Sequence, residues 1–344
     1  MLVLLPSLKH ICKAQVVIAL SKPYFRVVLE MYGASGHLPL THGIAEEVLV
    51  GLTSLIQEKI LALQHQVLQQ TGLSEYIHPI LFEVGKWVSE HTEIWWYDID
   101  PVSCFHWKPE GIIDRQRTAE ALIRDTNLDI IFRCHLACSY CMKDDIVLLW
   151  NQTSEGQKQT IRDACVYKPV KFWISWIEAG TELDPMSRNF INLLKFSYTF
   201  NPEGMHNLLK MMNRKLGQAL LMKLARKHML QPCIVGILLS YLDNNQQIVV
   251  FKKSIGTTLC CFLDWPWQSL FMDVFLVVRP YMHKEQFLNV LDYLINIKIY
   301  GNFNDYNYLA ILKELWGAVG SNLQECALRR YNFARSIDRL VNLR

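Results

Sequence analysis

The densest group of reactive side chains in this sequence is Cys134-His135-Leu136-Ala137-Cys138-Ser139-Tyr140-Cys141. Thiolates and imidazole are zinc ligands, so three cysteines and a histidine this close together pose the question of a structural metal. On a helix, however, His135 points about 100° away from Cys134, and no second paired-ligand segment occurs elsewhere. Cys260 and Cys261 are adjacent and cannot easily face one ion together. Positions 134, 138 and 141 are spaced i, i+4 and i+7, which places them on one helix face, where free cysteine packs as a small hydrophobe. The spacing therefore predicts three buried, metal-free thiols.

A second group is Glu93, Asp98, Asp100 and His106, set among Trp95, Trp96, Tyr97, Phe105 and Trp107. Carboxyls beside desolvating aromatic rings can form an acid/base pair. The alternative is an interhelical connection whose aromatics plug a core while Asp98 and Asp100 stay solvated, or a partner-binding hot spot. The sequence contains no Gly-x-Ser-x-Gly elbow, Gly-x-x-x-x-Gly-Lys loop, His-Glu-x-x-His or Gly-x-Gly-x-x-Gly, and its 11 histidines are scattered. We accordingly assign no catalytic, cofactor-binding or metal-binding residue. Near the C-terminus, Arg329, Arg330, Arg335, Arg339 and Arg344 outnumber Glu325 and Asp338. Such a run is either a solvated face or a contact for an acidic partner or a membrane surface.

The elements that must carry these residues are set by composition and periodicity. Of 344 residues, 51% are hydrophobic and 19% charged, enough to bury a sizeable core and inconsistent with disorder. With 35 basic and 32 acidic side chains the formal charge is +3, which gives no reason to expect nucleic acid. The opening MLVLLPSLKH is too short for a signal peptide, and Asp264, Pro266 and Asp273 interrupt the apolar stretch from Leu259 to Val278. The expectation is an intracellular, cytoplasmic chain with reduced thiols and no transmembrane segment.

Apolar residues recur at three and four along nearly the whole chain, so the predicted fold class is all-α. Helices are expected over Ile44 to Gln70, from Ser74 to about Glu90 with a kink at Pro79, over Asp114 to Thr126, from Asp264 to before Pro280, over His283 to Ile299, from Tyr306 to Trp316 after Asn304, and over Asn322 to Arg344. From about Leu128 the helices shorten and pair. Similar pairs start at 136, 163, 195 and 224, a period near 30 residues, as in arrays whose units bury their apolar faces against their neighbours.

Within that array, Phe132-Arg133-Cys134-His135-Leu136-Ala137-Cys138 resembles the first helix of an ankyrin repeat, and Ile146-Val147-Leu148-Leu149-Trp150 resembles the second. Cys141 sits near the family's turn glycine, and Trp176 to Asp184 resembles the end of a repeat. The resemblance covers roughly residues 128 to 245. It implies an irregular helical-repeat, ankyrin-like array over residues 128–344 with a C-terminal capping helix, preceded by an N-terminal helical region over 1–127. It also implies a non-enzymatic interaction scaffold with a protein partner and no cofactor. Separately, the Cys134, Cys138 and Cys141 spacing, with Tyr140 before the last, resembles that of the radical S-adenosylmethionine enzymes, in which three thiolates hold an iron–sulfur cluster. That family places the motif after a strand of an α/β barrel, so a strand before Cys134 would distinguish the two readings.

Overall fold

A computed structural model describes residues 7–34, 44–62, 72–91, 100–163, 168–180, 202–212, 214–215, 217–219, 221, 242–303 and 305–341. Over these residues the chain is helical, without a strand; the nearest approach to one is an isolated antiparallel bridge between Trp107 and Ile113. The all-α expectation holds at that level. The helices in chain order are α1 (Leu8–Ser21), α2 (Phe25–Ala34), α3 (Ile44–Ala62), α4 (Ile77–Glu90), α5 (Arg115–Arg124), α6 (Ile130–Ser139), α7 (Lys143–Gln152) and α8 (Glu155–Asp163). They continue with α9 (Lys168–Glu178), α10 (Pro202–Met211), α11 (Asn244–Cys261), α12 (Phe271–Val278), α13 (Lys284–Asp292), α14 (Tyr308–Ala318), α15 (Ser321–Leu328) and α16 (Tyr331–Val341). No described helix is long and apolar enough to cross a membrane.

The chain divides into two compact units, each assembled from separated segments. One comprises Met1–Leu20, Leu55–Ile80 and Leu221–Arg344, the other Ser21–Ser54 and Leu81–Leu220. The boundary expected between residues 127 and 128 thus falls inside the second unit.

In the second unit the local punctuation follows the sequence. Asp114 caps α5 by accepting from the Arg117 N–H at 3.1 Å, and Asp129 caps α6 by accepting from Ile131 and Phe132 at 2.8 and 3.2 Å. Pro79 does not kink α4: it lies in the first turn, where its missing N–H has no intrahelical partner to lose. Helix α6 is the hub, with α5, α7, α8 and α9 all packed on it. Phe132, Cys134, His135, Leu136, Ala137 and Cys138 are consequently buried in succession, with no polar face left between them. The expected single apolar stripe corresponds here to a helix enclosed nearly all round. The pair α6/α7 is helix, turn, helix; residues 164–167 between α8 and α9, the starts expected at 195 and 224, and the proposed extension of α3 beyond Ala62 lie outside the described residues.

The other unit has a core built by α11 to α16. Phe271 and Phe275 stack at a centroid distance of 6.3 Å, and Phe287, Leu291, Leu294, Leu312 and Leu315 close around them. Each such side chain contributes about 1.5–3 kcal/mol on leaving water. Helix α11 is capped by Asp243 and crosses α13 closely at Gly256, where a Cβ would come within 3.0 Å of the Gln286 carbonyl oxygen. Helix α13 runs on as a π-helical segment, Tyr293–Ile299, and Gly301 follows it. Asn307 caps α14 by accepting from the Ala310 N–H, and Asn304 lies outside the described residues. The stretch from Asn322 forms two helices instead of one, breaking at Arg329–Arg330, and Phe333 and Ile337 of α16 enter the core.

Candidate functional site

The structure places Cys134 and Cys138 on α6 and Cys141 off it. Tyr140 ends the helix, and Cys141 adopts φ 52° in the turn leading to α7. The i+7 reasoning therefore fails for the third thiol, which occupies the left-handed position that the resemblance assigns to a glycine. All three are buried, and burial pushes the Cys141 thiol up to about 12. Among the described residues, no group of three or more His, Cys, Asp or Glu side chains could hold a metal ion. His135 is buried beside the cysteines, and burial lowers its imidazole to about 4 against the pull of Asp129, so it is neutral at pH 7. The element before this segment is α5, a helix, where the radical-enzyme resemblance asks for a strand.

Of the aromatic connection, Glu93, Trp95, Trp96, Tyr97 and Asp98 lie outside the described residues. Asp100 is exposed and caps the short turn Pro101–Cys104 by accepting from Val102 N–H. His106 is exposed, with Nδ1 donating to the Cys104 carbonyl at 2.9 Å. Phe105 packs edge-on against Trp87, and Trp107 lies against Phe25. The described part of this connection thus inserts its rings among the helices and keeps its polar groups at helix ends and in solvent.

The most concentrated polar chemistry lies elsewhere, on residues whose spacing gave no signal. Arg115, at the first position of α5, is buried, and its fork is shared between two carboxylates of α4. Nη1 donates to Glu83 Oε1 at 2.7 Å, while Nε and Nη2 donate to Glu90 at 2.6 and 3.2 Å. Glu83 Oε1 also accepts from the Ile113 N–H. Burial drives the Glu90 carboxyl upward, but the Arg115 charge and hydrogen bonds outweigh it and hold the group below the usual carboxylate range. Glu203, in the first turn of α10, is drawn the other way: burial pushes it up, and Arg115 only partly offsets this. Its Oε2 is buried without a hydrogen-bond partner.

Next to this group, His91 is buried with Nδ1 donating to the Trp87 carbonyl at 2.6 Å and Nε2 2.8 Å from the Tyr140 hydroxyl. Asn207 of α10 donates to Gln116 Oε1 and to the Tyr140 carbonyl, both at 2.9 Å. Two carboxyls pushed in opposite directions are what acid/base catalysis requires. Here, however, the charges that act on them are groups of the protein itself, and the hydrogen bonds of Arg115, His91 and Asn207 tie α4, α5, the end of α6 and α10 together.

The other unit has its own ion pair, between buried Lys298 and partly exposed Asp264. Lys298 donates to Asp264 Oδ1 at 2.7 Å and sits 4.2 Å over the Phe303 ring, within a setting that includes Tyr293 and Tyr308. Tyr293 donates to the same carboxylate oxygen at 2.8 Å.

At the surface of that unit, α12 turns Phe271, Val274, Phe275 and Val278 inward. Its opposite side leaves Leu276, Val277 and, just beyond, Tyr281 at least half exposed, at 50, 54 and 53%. Lys252 Nζ lies 5.1 Å from the Tyr281 ring centroid. The arginines of α16 are exposed at 335 and 339, while Arg330 is paired with Glu285 at 3.1 Å; Arg344 lies outside the described residues. No protein-family model, no curated protein and no solved structure matches the chain.

Proposed function

We propose that the protein is a non-enzymatic, protein-binding scaffold whose helices form an irregular, ankyrin-like array, working inside the cell without a cofactor. The observation that carries this reading is the outer side of α12 and the turn that follows it, where Leu276, Val277 and Tyr281 remain open to solvent within six residues. Isolated apolar side chains on a surface are ordinary, whereas large ones grouped on one helix are what a partner covers. The titratable groups support the same reading. Arg115, Glu83 and Glu90 are bonded to one another, and the thiols of Cys134, Cys138 and Cys141 are enclosed.

The test is comparative cross-linking in cells expressing the wild-type chain or the double variant Leu276→Glu/Val277→Glu, followed by binding of each candidate as a purified protein. Both substituted positions are exposed, so melting should change little. A partner that binds the wild-type chain directly, and the variant at least about tenfold more weakly, would bear the reading out. Equal binding by the two would remove α12 as the site, and turnover of a substrate by the purified chain would overturn the scaffold.

A further inference from the structure

The Arg115 group holds three carboxylates to one guanidinium, and four of the five N–H donors of that guanidinium are taken. Nε and Nη2 go to Glu90, and Nη1 is divided between Glu83 and the Ile113 carbonyl. Glu203 arrives from a different helix, and its Oε2 meets no donor. An ionised carboxylate oxygen buried in that state is strongly disfavoured, whereas a neutral acid tolerates it.

We propose that Glu203 is a proton-controlled latch: as the neutral acid it lets the first turn of α10 lie against α4 and α5, and on ionisation it pulls that turn outward toward water. The rest of α10 is held independently. Leu208 and Leu209 are fully buried, Met212 is nearly so, and Asn207 bonds to Gln116 and to Tyr140, so the response is confined to the turn that carries Glu203.

The groups facing the latch are Glu90 from α4, Arg115 from α5, which also holds Glu83, and Lys108 from the preceding connection; His206 and Lys210 share its helix. Arg115, Lys108, the helix N-terminus and the group's own backbone N–H favour the anion, while burial and Glu90 oppose it, and burial is the largest of these effects. The carboxyl consequently titrates above the ordinary glutamate value of about 4.3. The sign follows from linkage. A raised acid binds its proton more tightly in the docked form, so docking is complete below the ordinary glutamate value and weakens as pH rises through the raised one.

The experiment is hydrogen exchange on the full chain across about pH 4 to 9, following the His206 and Asn207 amides that the first turn holds, with each rate corrected for its intrinsic pH dependence. Wild-type protection should fall by up to about tenfold per pH unit above the Glu203 titration. Glu203→Gln, which keeps the shape without the charge and leaves His206 in place, should show flat protection. Protection that is flat in the wild type, or that declines equally in Glu203→Gln, would overturn the latch. Should the variant fail to fold, infrared spectra of the wild-type chain decide the matter. A protonated buried carboxyl band that disappears over the pH range in which protection falls supports the latch, and the absence of such a band overturns it.

Discussion

Replacing Arg115 by Met keeps the length of the side chain and most of its apolar contacts but removes the cation that bonds both Glu83 and Glu90. The cost follows from where each carboxylate is left. Glu83 has a side chain only 7% exposed and cannot recover water, so it retains nearly the full penalty of a stranded charge. Glu90 is 27% exposed and can rehydrate in part. Breaking a buried pair by removing one partner costs about 3–5 kcal/mol, and the partial exposure of Glu90 places Arg115→Met near the lower end, about 3 kcal/mol. For a unit of this size that corresponds to a melting shift of about 6–12 °C.

Urea unfolding and thermal melts at neutral pH measure the deficit directly. A second substitution makes the argument specific: Glu83→Gln in the Met background removes the stranded charge yet retains an acceptor for the Ile113 N–H, and should recover at least about half of the loss. The deficit should also narrow in acid, where the stranded carboxylates take up protons. An Arg115→Met protein within about 1 kcal/mol of wild type, or one that the glutamine does not rescue, would show that the cluster is a bystander to stability.

Four further outcomes are expected. Cys138→Ala should cost no more than about 1 kcal/mol, whereas Cys138→Arg, which places a charge and added volume in a site with no exposure, should prevent the unit from folding, as read by circular dichroism. Iodoacetamide should label exposed Cys12 in the native chain and spare Cys134, Cys138 and Cys141 until denaturant is added, because burial keeps the Cys141 thiol protonated and out of reach. Gly256→Val should lower stability by at least about 2 kcal/mol, since α11 cannot keep its approach to the Gln286 backbone; an unchanged denaturation midpoint would count against the close crossing. Truncation after Gly320 removes Ala327, Phe333 and Ile337 from the core and should reduce both solubility and melting temperature, whereas a soluble truncation with an unchanged melt would make that segment a detachable arm.

What the sequence discloses is local. Asp114 and Asp129 announce their helices because a capping side chain acts within three residues of itself, and the three-four periodicity identifies α5 and α13 for the same reason. Gly180, expected at the end of a repeat, has φ 98°, and Cys141 takes the left-handed turn where the resemblance places a glycine. What the sequence conceals depends on distant partners. Glu83, Glu90, Arg115 and Glu203 are separated by up to 120 positions and share no motif, so only the folded chain brings them together. The break at Arg329–Arg330 has neither glycine nor proline to mark it, and the continuous apolar pattern across it reads as one helix. Burial of α6 on nearly every side likewise reflects how many helices reach it, which no count of its own residues reveals.

The interleaving of the two units orders the events of synthesis. Residues 21–54 and 81–220 make one unit, and all of them have been polymerised before residue 221 is added. Residues 1–20 and 55–80 emerge earlier or in between and meet each other, as at His10 and Tyr76, yet the larger part of their unit lies from residue 221 onward. At elongation rates of about 5–20 residues per second, the 124 residues from 221 to 344 take on the order of 10 s to appear. Through that interval the apolar side chains of α1, among them Val17 and Ile18, lack the greater part of their unit and are available to chaperones. Helix α1 therefore belongs to the unit whose segments are completed after those of the other, and a premature stop soon after residue 220 would leave it without most of its companions while the other unit has all of its own segments.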